Sequence, residues 1–126
     1  MRNRLYNMFT AIKNGQIAKR QFIIVKYKKI CELFLQVLWD EGFIMGYTKI
    51  NQKNIKIYLK YKNNKPVINS LNSITKPGKK IHYSIKQIWK INSNKSFILF
   101  STHKGIKTIK DCKKLNLGGE ALVIIN

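Results

Sequence analysis

Acidic side chains are nearly absent from this chain. Five Asp and Glu stand against 25 Lys and Arg, a formal net charge of +20 over 126 residues. Self-repulsion of that size opposes a free globule, so a polyanionic partner is expected. The same scarcity removes a chemistry. Paired carboxylates for general acid–base work are scarce, and the one adjacent pair, Asp40-Glu41, falls at a helix end where solvation is its ordinary role. Histidine is as scarce, with His82 and His103 alone. The two cysteines, Cys31 and Cys112, have no CxxC or His-flanked spacing, so no metal site is expected and both read as reduced core thiols. No run of about 18 apolar residues occurs, so no membrane-spanning helix is expected. Met1-Arg2-Asn3-Arg4 passes straight into a folded-looking segment and leaves no room for a removable leader, so the protein is expected to work where it is made. A Walker loop and a nucleophile elbow are both missing, which argues against nucleotide hydrolysis and against an enzyme of either kind. No cofactor and no small-molecule substrate are expected.

What is present is a core. Apolar residues make up 44% of the chain, with six Phe, six Tyr and two Trp, so a folded domain is expected and not a basic tail. An anionic membrane surface is the competing partner, but it usually asks for one concentrated basic amphipathic helix or a lipid anchor. Here the lysines are spread along the whole chain, which favours nucleic acid. The richness in Lys, Ile and Asn is what an AT-rich coding sequence produces.

In the first half, Leu5, Met8, Phe9 and Ile12 predict an amphipathic helix that Asn14-Gly15 should stop. Phe22–Val25 predicts a strand, closed by the basic cluster Lys26-Tyr27-Lys28-Lys29. Ile30, Leu33, Phe34, Val37 and Leu38 predict one face of a second helix ended by Gly42. Phe43–Ile50 and Ile55–Tyr61 read as paired strands. The polar tract Lys62–Pro66 is the expected boundary between a lobe at 1–65 and a second at 66–126.

The second half predicts an extended Ser70–Thr75, a tight turn at Lys76–Lys79, a short strand Ile81–Tyr83 and a helical turn holding Ile85, Ile88 and Trp89. A loop at Asn92–Ser96 leads to the strand Phe97–Thr102. Thr108 and Asp111 open a helix ending by Asn116, and Ala121–Ile125, without polar alternation, is a strand covered on both faces. The fold class is therefore α+β in two small lobes: an N-terminal α-β-α-β-β layered lobe and a C-terminal, mostly β lobe with short helices.

Two motifs should meet at one edge of the second sheet: Ser101-Thr102-His103-Lys104-Gly105 and Leu117-Gly118-Gly119-Glu120, with one short helix between them. Glycines let a backbone approach a ligand, hydroxyls can reach base edges and 2′-OH groups, and lysines neutralise phosphate. A lone carboxylate among cations repels phosphate, so Glu120 is suited to accept from a base amino group or to orient hydroxyls. Ser101 and His103 alternate on the expected strand and could be written with Asp111 or Glu120 as a triad, but such alternation is shared by many inert strands.

These motifs, with Thr10-x-Ile12-Lys13-Asn14-Gly15, Glu41-Gly42-Phe43-Ile44, Leu59-Lys60-Tyr61 and Lys76-Pro77-Gly78, resemble in order and spacing the small-subunit ribosomal protein eight family, from about Leu5 to Asn126. The resemblance implies a two-lobed structural protein bound directly to the central domain of small-subunit ribosomal RNA, beside neighbouring small-subunit proteins. It implies RNA contacts from Ser101, Thr102, His103, Lys104, Gly105 and Thr108, with Gly118, Gly119 and Glu120 beside them. Lys76, Gly78 and Lys80 match a loop near the RNA, and Thr10, Lys13, Asn14 and Lys29 match positions touching a second part of it. Bacterial members of the family can also bind their own messenger RNA. This chain departs from the pattern at His103, where a serine is usual, and at Lys80, Lys107 and His82, where arginine, methionine and tyrosine are usual. A lysine cannot make arginine's bidentate fork. The drifted motifs, the AT-rich bias and the absent leader point to an organelle-encoded mitochondrial ribosomal protein, with plastid or an AT-rich bacterium as alternatives. The functional alternative is a ribosomal scaffold acting mainly through protein contacts.

Overall fold

The first helix, α1 (Arg2–Ile17), buries Leu5, Met8, Phe9 and Ile12, the stripe expected from their spacing. It does not stop at Gly15. A Cβ on Gly15 would lie 2.6 Å from Ile23 Cγ2 and 3.1 Å from Leu59 Cδ1, so this glycine lets the helix press onto the sheet. The helix, which ends at Ile17, is closed by Lys19 at the left-handed φ of 55°. Arg20 N–H then bonds Gly15 O and Lys19 N–H bonds Gln16 O, the Schellman pattern. The computed structural model describes residues 2–74, 78, 80–91 and 97–125.

Strand β1 (Phe22–Lys26) leads to α2 (Lys29–Asp40), then β2 (Ile44–Lys49) and β3 (Asn54–Leu59). The three strands form an antiparallel sheet in the order β1-β3-β2, and the Phe9 ring of α1 meets that of Phe34 of α2 at 4.7 Å, tilted by 51°. The buried face of α2 is Cys31, Phe34, Leu35 and Leu38. The expected stripe was rotated: Leu33 is exposed, and Ile30 and Val37 are half-buried, because the helix axis centres its inward face on Phe34 and Leu38 and so brings in Cys31 and Leu35. Gly42, at φ 80°, ends the helix as expected, with Phe43 N–H on Leu38 O and Gly42 N–H on Trp39 O. The β2–β3 turn is held by Asn51, whose Oδ1 accepts from Lys53 N–H and Asn54 N–H.

The polar tract at 62–66 is itself structured. β4 (Tyr61–Lys62) pairs with β5 (Lys65–Pro66) across Asn63 and Asn64, both at positive φ, the backbone of a type I′ hairpin turn. The chain divides into two compact units, 1–69 and 70–126.

The second unit contains β6 (Leu71–Ser73), β7 (His82–Tyr83), α3 (Ile85–Trp89), β8 (Phe97–Thr102), β9 (Gly105–Thr108), α4 (Ile109–Leu115) and β10 (Gly119–Ile125). β10 is the spine. It pairs with β8 on one side and with β6 and β7 end to end on the other, while β9 extends the sheet beyond β8. Ala121, Leu122, Val123 and Ile125 are buried and Ile124 is half-buried, so buried side chains lie on both faces of the strand, as its unalternating sequence predicts. Ile88, Ile98, Phe100, Ile109, Cys112 and Ala121 form one core cluster.

β9 is the element the sequence pattern hid, since its run Gly105-Ile106-Lys107-Thr108 is too short to show a period. α3 opens with a full capping box: Ser84 Oγ accepts from Gln87 N–H and Gln87 Oε1 accepts from Ser84 N–H. α4 ends at Asn116, φ 55°, with Leu117 N–H on Cys112 O. The expected loop at 92–96 and all of the expected 76–79 turn except Gly78 lie outside the described residues.

Candidate nucleic-acid interface

Strand pairing brings the two motifs of the second half together. Glu120 on β10 lies opposite Ser101 on β8 and, on its other side, opposite His82 on β7. Directly opposed residues share a sheet face, with Cβ atoms about 5 Å apart. His82, Glu120 and Ser101 therefore make one polar row across three strands. His82 has no site role in the sequence reading; its place beside Glu120 is set by the β7–β10 pairing, which no local signal announces.

The row leads into the β8–β9 turn. His103 and Lys104 stand exposed at its tip. Gly105 takes φ 108° with nothing within 4 Å of a would-be Cβ, so backbone conformation, and not space, calls for glycine there. Thr102 ties the turn: its hydroxyl donates to Gly105 O at 2.8 Å and accepts from Lys104 N–H at 3.1 Å. One acceptor lone pair of that hydroxyl is left over. Because His103 sits in the turn and not on the strand, the same-side alternation with Ser101 expected from the sequence does not form.

The glycines of the second motif hold backbones close together. A Cβ on Gly119 would lie 2.6 Å from Ser101 O and 3.0 Å from Thr102 Cγ2; one on Gly118 would lie 2.8 Å from Tyr83 O and 3.3 Å from Ile85 N. They bring β10 against β8 and against the β7–α3 junction, so the polar row can be continuous. Thr108 is 5% exposed. Its hydroxyl accepts from Asp111 N–H at 3.2 Å and caps α4, so its side chain acts within the fold. Gly78, at φ 81°, and Lys80 are exposed, and Lys76 lies outside the described residues.

In the first unit, Thr10, Lys13 and Asn14 share an exposed face of α1 at i, i+3 and i+4. The Thr10 hydroxyl donates back to Tyr6 O at 3.0 Å. Beside this face is a cleft of about 290 Å³ lined by Asn7, Met8, Ala11, Val25 and Lys26. Lys29 is exposed at the start of α2.

The arrangement offers hydroxyl, carboxylate and imidazole groups in a line, with a lysine-bearing turn at one end. It can exchange hydrogen bonds with bases and sugars while the lysine meets phosphate. Cys31 and Cys112 are buried, reduced cysteines. Burial, followed by the nearby Asp111 carboxylate, pushes the Cys112 thiol up to about 11, which suits packing and not nucleophilic work. Among the described residues no group of three or more His, Cys, Asp or Glu could hold a metal ion, and no helix is long and apolar enough to cross a membrane.

Comparison with known proteins adds an independent line. Residues 3–126 match the family model described as Ribosomal protein S8. The chain is 39% identical over 124 residues to the small ribosomal subunit protein uS8m of Acanthamoeba castellanii, covering 97% of this chain and 98% of that protein. It is 38% identical over 120 residues to the small ribosomal subunit protein uS8 of Ehrlichia chaffeensis, covering 92% and 91%. With the uS8 of Dictyoglomus thermophilum the identity is 34% over 122 residues, covering 94% and 93%.

Proposed function

The chain belongs to the ribosomal protein S8 family, and from that premise we propose that it binds the central domain of small-subunit ribosomal RNA and supports its assembly. The family is one of structural ribosomal components, not enzymes. The observation that carries the RNA reading is the row His82–Glu120–Ser101 running into the Lys104 turn, in a protein with a net charge of +20. A charged surface alone binds any polyanion. A carboxylate flanked by polar groups is useful where bases with free amino groups are to be read, as in irregular, partly unpaired RNA.

In this reading Ser101, Glu120 and His82 contact base edges and 2′-OH groups, and Lys104 neutralises phosphate. Thr102 and Thr108 serve by holding the turn and the helix that present them. Gly105, Gly118 and Gly119 set the backbone path. Gly78, Lys80 and Lys76 add a flank, and Thr10, Lys13, Asn14 and Lys29 touch a second segment of the RNA. Neighbouring small-subunit proteins complete the surroundings.

The setting is a mitochondrial ribosome. Likeness to a uS8m protein supports this, while the similar identity to bacterial uS8 proteins leaves a bacterial cytoplasm as the competing setting. The location on the RNA is tested by footprinting the protein on full-length small-subunit rRNA. Protection confined to the central domain is the expected result; protection scattered over all domains, or none, would overturn it.

A further inference from the structure

The cations of this chain are interrupted once at length. From Ile30 to Thr48 there is no lysine or arginine, the longest such stretch in the sequence, and it holds three of the five carboxylates: Glu32, Asp40 and Glu41. The stretch is α2 beyond its first residue, Lys29, and most of β2. Along the outer side of α2, Leu33 is 46% exposed and Trp39 45% exposed, with exposed Gln36 and Asp40 between and beside them. Positions 33, 36 and 40 follow one helical stripe, and 32, 36 and 39 the adjoining one.

This surface is held in place before anything meets it. Tyr47 OH donates to Gln36 Oε1 at 3.0 Å, and Gln36 Nε2 donates to Asp40 Oδ1 at 3.0 Å. The Trp39 ring meets Tyr47 edge-on at 5.7 Å. It also lies so close over Gly46 that a Cβ there would be 3.2 Å from the indole. Lys29, exposed one turn before Leu33, bounds the face at its N-terminal end, and at the rim Lys49 Nζ sits 4.1 Å over the Tyr27 ring while Lys60 Nζ donates to Gly42 O. The Tyr47 phenol is pushed up by burial and then by the carboxylates of Glu32 and Asp40.

The contrast lies on the other side of the same sheet. Phe22, Ile24 and Tyr58 are also exposed there, but Lys56 Nζ lies 4.0 Å over the Phe22 ring and 5.2 Å over that of Tyr58. That apolar surface is cationic; the α2 surface beyond Lys29 carries no lysine or arginine of its own. A phosphate backbone is repelled by the α2 face, which leaves a positively charged polypeptide as the complementary occupant. Rigid aromatic anchors beside a polar rim are the anatomy of a protein contact.

We propose that the outer face of α2, centred on Leu33, Gln36, Trp39 and Asp40, docks a basic segment of a neighbouring small-subunit protein. The proposal rests on the ribosomal reading above and names the surface that faces protein and not RNA.

The test places a photo-reactive amino acid at Leu33 in one full-length chain and at Lys104 in another. Each is assembled into small subunits with the rRNA and proteins of its own organism, irradiated, and its cross-linked products identified. The expected result is a Lys/Arg-rich peptide of a small-subunit protein from position 33 and rRNA from position 104. Loss of the position 104 product would defeat the RNA reading itself. An rRNA product at position 33, or none, with position 104 still joined to RNA, would overturn this proposal alone. Asp40→Lys, an exposed change that leaves the packing of Trp39 in place, should lower the yield of the position 33 peptide about tenfold without altering the position 104 product.

Discussion

Gly119 lies so close to Ser101 that a Cβ on it would stand 2.6 Å from the Ser101 carbonyl oxygen. The obstacle is backbone, not the movable end of a side chain. Gly119→Ala must therefore push β10 away from β8 at the position where Glu120 and Ser101 are paired. Overpacking of this kind costs about 1–3 kcal/mol. We expect a loss in that range by denaturant unfolding, together with weakened rRNA selectivity. An unchanged midpoint would show that the two strands are not in this register.

Gly15→Ala gives a prediction whose sign is diagnostic. In an exposed helix, alanine gains about 1 kcal/mol over glycine. Here the new methyl would meet Ile23 Cγ2 at 2.6 Å, and a β-branched side chain is stiff at χ1. The expected outcome is net destabilisation of about 1–3 kcal/mol, read from the denaturation midpoint. A gain in stability would mean that α1 does not press onto β1 as described.

These two glycines show how far the sequence could be read. Leu5, Met8, Phe9 and Ile12 announced α1 because amphipathic spacing is local, but Gly15 read as a stop because nothing local distinguishes a capping glycine from one pressed against a strand. Lys62–Pro66 read as a turn-forming boundary, and nothing local showed that its turn joins two paired strands. In α2 the period was legible and the phase was not: Leu33 and Leu35 are equally apolar, and only packing decides which is buried. The candidate site was half legible. Ser101–Gly105 and Gly118–Glu120 stood out as polar, glycine-bearing breaks between apolar runs. The addition of His82 and the inward assignment of Thr108 depend on strand pairing and burial, which one-dimensional patterns do not carry.

Thr108→Ala removes the acceptor for Asp111 N–H at the start of α4. Loss of an N-cap costs about 1 kcal/mol. Thr108→Ser keeps the acceptor and should recover most of it. If both variants lose the same amount, packing of the methyl, not capping, accounts for the residue.

Cys112 links stability to alkaline pH. Its folded thiol titrates near 11 against an ordinary value of 9.0, because burial disfavours the thiolate. The unfolded state therefore gives up its proton first as pH rises. The stability this group contributes is complete below pH 9, and it falls from there until the folded thiol itself ionises near 11. Cys112→Ala has no such group. Between pH 8 and 10.5 its unfolding midpoint should decline less steeply than that of the unaltered chain; parallel decline would contradict the assignment.

The central claim is that a polar row, and not charge alone, selects the RNA. The direct measurement is affinity for the central-domain rRNA helix and for a fully paired duplex of equal length, across a salt series, for the unaltered chain and for Ser101→Ala/Glu120→Gln. Phosphate contacts weaken with salt on both RNAs alike, so the ratio of the two affinities isolates what the row reads. The expected result is a preference for the central-domain helix that persists at high salt and drops about tenfold in the double variant, while the salt dependence stays the same. Equal affinities for the two RNAs, or a preference the double variant leaves untouched, would contradict the account.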